Sequence, residues 1–334
     1  MTVNPRTLLL GLTAVLAAFT LAACGEKSED AASAGNEPFS LTLDFYPNPD
    51  HAGVYMAQKL GYFEDAGLDL TIHTPSDPAA PIKQVAAGRT DLAISYEPEV
   101  LLAHERGLDT IAVGAMVDTP LTSMIWLRES GIGGIADLKD KTIATAGIPY
   151  QDAYLETILA RADLTPEEVK TVNVGYGLLP AIVGGRAEAM LGGFRNVEGV
   201  DLRLRGKDPV VTPVDQLGVP TYDELVLVAK RSELEEDAEP VRLFLAALAR
   251  GTAAAAKSPN ATSEAILAAN RDLQPRLTRA EVEATLPLLS RSGRMDPAKW
   301  TRFVAWMNEN GQLSGRPAPS QVLTNEYLPG AIGK

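Results

Sequence analysis

Two runs of alternating strand-like and helix-like segments constrain this chain more than any single motif. In the first, FSLTLDF (39–45), LDLTIHTP (68–75), TDLAISY (90–96) and DTIAVGAMV (109–117) have strand character. Between them stand HAGVYMAQKLGYFEDAG (51–67), PAAPIKQVAAG (78–88) and PEVLLAHERG (98–107). Val54, Ala57, Leu60 and Phe63 fall near helical spacing, so 51–67 is expected to be one amphipathic helix closed by Gly67. The order βαβαβαβ is that of a parallel sheet covered by helices. A second alternation starts after TSMIWLRE (122–129) and runs to YDELVLVAKRSEL (222–234), and the remainder reads as helical. The expected architecture is therefore α/β and two-lobed, with crossings near residues 122–129 and 222–229. The lobes are expected at 39–125 plus 228–334 and at 126–227.

The beginning of the chain has a different character. Arg6 precedes the apolar run TLLLGLTAVLAAFTLAAC, which ends at Cys24, the only cysteine. Small residues close the run, as in a secretory signal spanning 1–23. Leu21-Ala22-Ala23-Cys24 resembles the bacterial lipobox, whose cysteine is lipidated and becomes the first residue. Residues 24–38 are polar, small and without periodicity, and read as a flexible tether. The chain is thus expected to be exported and lipid-anchored at Cys24, with two or three acyl chains giving stable attachment. A formal net charge of -13 argues against a nucleic-acid partner, which needs a basic face.

Open α/β sheets bind ligands beyond the carboxyl ends of their strands, and clefts between lobes are common pockets. The turns at those ends are DFYPNPDH (44–51), SYEPE (95–99), MVDTPLTS (116–123), AGIPYQDAY (146–154), VGYGLLP (174–180), GGFRNVEG (192–199) and PTYDE (220–224). Five of the seven carry both a ring and a carboxylate. Asp, Asn and Ser also cap helix starts, so one such turn alone says little; several together suggest a ligand. The three histidines, His51, His73 and His104, lack metal-ligand spacing. No metal or cofactor is expected. Trp300 and Trp306 read as a packing stripe.

LDFYPNPDHAGVYMAQKLGYFEDAGLDL, AAGRTDLAISYEPEVLLAHERG, GGFRNVEG and YDELVLVAKRSEL resemble the solute-binding proteins of ABC importers for thiamine-pyrimidine precursors. That group also contains the sulfonate-binding proteins and the yeast-type thiamine pyrimidine synthases. The resemblance covers roughly residues 39–290. It implies a type II periplasmic-binding-protein fold that captures an aminopyrimidine or similar heteroaromatic. The partners it implies are an ABC permease and its ATPase, with the protein itself a monomer. A flat ring is read by aromatic faces and by polar groups at its edge. Tyr46 and Phe194 are the expected faces, with Tyr150 and Tyr176 in reserve. Asp44, Glu97 and Glu198 are expected at the edge, with Asn48 and Asn196, and with His51, Ser95, Tyr96 and Tyr222 nearby. Relatives often have Trp where Phe194 stands, and Arg195 also departs from their pattern. The same resemblance offers an enzyme. The synthase uses a Schiff-base lysine after the third strand and a histidine four residues on; here those positions hold Ser95 and Glu99. Its cysteine cluster is absent from TYDELVLVAK (221–230), so no catalysis is expected.

Overall fold

The computed structural model describes residues 35–330. Cys24, the apolar leader and most of the tether lie outside the described residues. Ten strands are present: β1 Glu37–Thr42, β2 Leu68–His73, β3 Leu92–Ser95, β4 Thr110–Val117, β5 Thr122–Leu127, β6 Thr142–Thr145, β7 Lys170–Asn173, β8 Ala189–Phe194, β9 Pro209–Pro213 and β10 Leu225–Lys230. They form two five-stranded sheets in the orders β2-β1-β3-β10-β4 and β7-β6-β8-β5-β9. Glu37 and Pro38, read as tether, pair with Leu68 and Asp69 inside the first sheet.

Each sheet carries one exchanged strand. β5 runs antiparallel between β8 and β9, and β10 runs antiparallel between β3 and β4. Both sheets are mixed, whereas the alternation alone predicts parallel ones. All of β5 belongs to the second sheet and all of β10 to the first, so the links between sheets are residues 118–121 and 214–224. These links come a few residues before the crossings read from the sequence. β9 is PVVTP, a strand that the alternation does not announce because two prolines bracket it.

Strands β4 and β5 are buried at every residue, as expected of strands covered on both faces. The expected helix 51–67 is broken in two, Ala52–Lys59 and Tyr62–Asp65. Gly61 between them has φ +71°, a left-handed conformation that ends the first helix. Ala52–Lys59 lies against the long helix Glu239–Lys257, and the backbones approach at Gly53 and Gly251. A Cβ on Gly251 would meet the Gly53 carbonyl. This crossing places residues 44–51 against the helices of the C-terminal half. Trp300 is fully buried and donates its indole N–H to Asp223 at 2.6 Å, a packing role as expected.

Candidate functional site

The turns at the carboxyl ends of the strands in the two sheets converge on one cavity, with about 450 Å³ of space not filled by protein, its mouth included. Phe45, Asn48 and Tyr96 approach from the first sheet. Ala146, Ile148, Tyr150, Gln151, Leu178, Gly192, Phe194, Val197 and Glu198 come from the second, as does Thr122 at the start of β5. The walls are therefore mostly apolar and aromatic, with few polar groups.

Those polar groups are held in place by neighbours. Glu198 opens the helix Glu198–Leu204, and its Oε2 accepts the Phe194 backbone N–H at 2.7 Å. Burial pushes its carboxyl up to about 7, against the lowering effect of that hydrogen bond. Gln151 is buried at the start of the helix Tyr150–Ala160, and its Oε1 accepts the Ala146 N–H at 3.0 Å. Tyr96 donates its hydroxyl to Asp44 Oδ2 at 2.9 Å. The other Asp44 oxygen lies 2.8 Å from His51 Nε2. His51 Nδ1 accepts the Asn48 N–H at 3.3 Å, which places the imidazole hydrogen on Nε2, facing Asp44. Asp44 and His51 thus set the Tyr96 ring rather than line the cavity. Asn48 lines it while its side chain caps the turn, accepting from Asp50 and donating to Tyr46.

Of the residues expected at the ligand, Asn48, Tyr96, Tyr150, Phe194 and Glu198 share the cavity wall. The others stand elsewhere. Tyr46 is 52% exposed and packs on Tyr176 with ring centroids 4.7 Å apart. Phe45, one residue earlier in the extended turn, takes the inward position instead. Tyr176 comes from the second lobe and also meets Phe45 edge-on at 4.7 Å, so these three rings close one side of the mouth. Glu97 does not face the cavity. It opens the helix Glu97–Glu105, for which Tyr96 is the extended N-cap. Its Oε2 accepts the Asp223 N–H at 2.7 Å, and burial beside Asp223 pushes its carboxyl well above the usual range. Ser95 donates to Glu99 at 3.1 Å, beneath the helix Glu97–Glu105. Tyr222 is fully buried and donates to Glu224 at 3.0 Å.

Asn196 spans the two lobes. Its Nδ2 donates to Asp50 Oδ1 at 2.7 Å and to Thr285 Oγ1 at 2.8 Å. Asn196 Oδ1 and Asp50 Oδ2 are both buried and without partner among the described residues. Burial and the Asp44 charge push the Asp50 carboxyl well above its ordinary range. A proton on Oδ2 would satisfy both atoms in one acid–amide pair. Beside this clasp the helix Pro275–Thr285 packs on Glu198–Leu204. Glu281 there is pushed up to about 9 by burial and by the charges of Glu198, Asp201 and Asp50. Arg205 pairs with Asp201 at 2.6 Å.

A family model described as NMT1/THI5 like matches residues 48–262. The chain belongs to the NMT1/THI5-like family. Among relatives, the formylaminopyrimidine-binding protein of Halalkalibacterium halodurans is 33% identical over 313 residues, 90% of this chain and 94% of that protein. The 4-amino-5-hydroxymethyl-2-methylpyrimidine phosphate synthase of Legionella pneumophila is 26% identical over 293 residues, 87% of this chain and 92% of that one. Among solved structures, the alkanesulfonate-binding protein SsuA from Xanthomonas axonopodis pv. citri, bound to MOPS, superposes with a TM-score of 0.69 at 16% identity. The match covers 86% of this chain and 98% of that one. The fold is accordingly the two-lobed periplasmic-binding-protein fold.

In this member of the NMT1/THI5-like family, sequence reasoning passed over Phe45, Gln151, Gly192 and Glu224. Glu224 accepts the N–H groups of Leu121 and Thr122, each at 2.7 Å, and the Thr122 hydroxyl at 2.9 Å. It therefore staples the two links between the sheets. Burial raises its carboxyl to about 7 despite these donors. It stands in PTYDE, a turn singled out for Tyr222, and the neighbouring carboxylate carried the same signal. Gln151 left no signal of its own, because a glutamine at a helix start is unexceptional.

Proposed function

We propose that this protein is an extracytoplasmic solute-binding protein that captures a thiamine-pyrimidine precursor, or a close aminopyrimidine, for an ABC importer. The observation that carries the reading is the cavity itself: Phe45, Tyr96, Tyr150 and Phe194 surround a slot into which Glu198 brings a carboxyl with one oxygen already committed to the protein. Rings would stack on the faces of a flat heterocycle and the other Glu198 oxygen would meet an exocyclic amine. The name of the Halalkalibacterium relative, a formylaminopyrimidine-binding protein, supports the same ligand class. Residues 118–121 and 214–224 would act as the hinge on which the lobes close over the ligand, in line with the hinge motions of binding proteins. Attachment to the membrane would be through Cys24, which lies outside the described residues.

The synthase reading finds less support. Ser95 and Glu99 bond to each other away from the cavity, a serine cannot form an imine, and His51 is held between Asn48 and Asp44. Titration calorimetry against hydroxymethylpyrimidine, aminomethyl- and formylamino-pyrimidines, thiamine, riboflavin and taurine tests the proposal. Binding of at least one aminopyrimidine is expected. Binding of taurine alone would move the protein to the sulfonate branch. Pyrimidine formation from pyridoxal phosphate and iron would restore the enzyme.

A further inference from the structure

We infer that Gln151 determines specificity in this cavity: its amide N–H reads a hydrogen-bond acceptor on a flat heterocycle whose amine is read by Glu198. The inference rests on the proposed aminopyrimidine site and adds a second point of recognition to it.

The orientation of the Gln151 amide is decided by the protein. Only its oxygen can accept the Ala146 N–H, which it does at 3.0 Å. The –NH2 is thereby turned toward Gly192, and both residues line the cavity. Gly192 has φ +111°, and a Cβ there would collide with Gln151 Nε2. The glycine thus leaves room for the amide nitrogen at the end of β8. Nε2 makes no hydrogen bond to protein among the described residues, although Gln151 is only 2% exposed. The donor faces the cavity, where a ligand can accept from it.

The second recognition point is close by on the same strand. Glu198 is anchored through its Oε2 to the backbone of Phe194, two residues after Gly192 on β8. Gln151 and Glu198 line the same cavity, so the donor of one and the acceptor of the other would address two edges of one ring. The ligand class is a flat heteroaromatic amine that also carries an exocyclic carbonyl acceptor away from the amine. A ligand with the amine but without that acceptor leaves the Gln151 donor unpaired and is rejected on that ground, the kind of discrimination polar sites achieve best.

The probes are 4-amino-5-aminomethyl-2-methylpyrimidine and its N-formyl derivative, which adds a carbonyl acceptor. Calorimetry on the wild-type protein is expected to show the N-formyl compound binding at least about tenfold tighter. Gln151→Leu should erase this preference by weakening the N-formyl compound while changing the other less than about threefold. Gln151→Glu, which keeps an acceptor for Ala146 but replaces the free donor, should do the same and guards against a packing defect in the leucine variant. An unchanged ratio between the probes in both variants, each melting as wild type does, overturns the role of Gln151 and leaves the aminopyrimidine reading standing. Absence of binding by either probe to wild type overturns both.

Discussion

Glu198 and Asp44 are both buried carboxyls in ligand-side turns, yet they do different work. Glu198 commits one oxygen to a backbone N–H and keeps the other for the cavity. Asp44 spends both oxygens on His51 and Tyr96. Glu198→Ala is therefore expected to weaken aminopyrimidine binding about tenfold or more with little loss of stability. Asp44→Ala strands two buried donors and should cost about 1–3 kcal/mol in urea unfolding, with weaker binding as a consequence. Equal effects of the two variants on stability would contradict this division. At this scale the sequence marked turns that line the cavity but not the atoms that face it. Phe45 and Tyr46 are both rings, and only the folded turn decides which one faces inward. Glu97 and Tyr96 are adjacent, yet only Tyr96 lines the cavity, because Glu97 turns to the Asp223 N–H.

The packed pair formed by helices Pro275–Thr285 and Glu198–Leu204 collects carboxyl groups from both lobes. Glu281, Glu198 and Asp201 meet there, with Asp50, Asn196 and Arg205 beside them and Asp44 and Glu224 acting on Asp50 from further in. Glu198 and Glu281 are raised from 4.5 to about 7 and about 9. A group with a raised pKa lends stability that is complete below its unfolded value and is lost as pH rises through the folded one. The melting temperature is therefore expected to fall as pH rises from 4.5 through about 7 to 9. Glu281→Gln should flatten the upper part of that profile, and Asp50→Asn, whose amide can still donate to Asn196, should keep the clasp. Thermal scans across this range check it; a profile in Glu281→Gln that matches wild type at every pH would sink the idea. None of this seam was legible from sequence, because Glu281 is more than 80 residues from Glu198 and only chain reversal brings the two helices together.

For the molecule as a whole, the proposed role in capture would combine an anchor and a hinge. The proposed anchor rests on the sequence: Cys24 after LAA, followed by a polar stretch, resembles a lipidation site. Cys24→Ala is expected to abolish incorporation of radiolabelled palmitate in the expressing cell, and persisting label would contradict the assignment. The alternation of apolar runs determined the α/β class and two lobes, since only a helix-covered sheet buries such runs. Sequence also marked the cleft side of each strand, where rings and carboxylates crowd the turns. The sequence also marked the crossings near residues 122–129 and 222–229, but tertiary structure alone decided how those strands pair. Nothing in the residues of β5 and β10 says that each runs antiparallel between its neighbours. It also decided the site's polar geometry. Gln151, Gly192 and Glu224 acquire their roles from partners distant in sequence, through hydrogen bonds and close contacts that exist only once the chain has closed on itself.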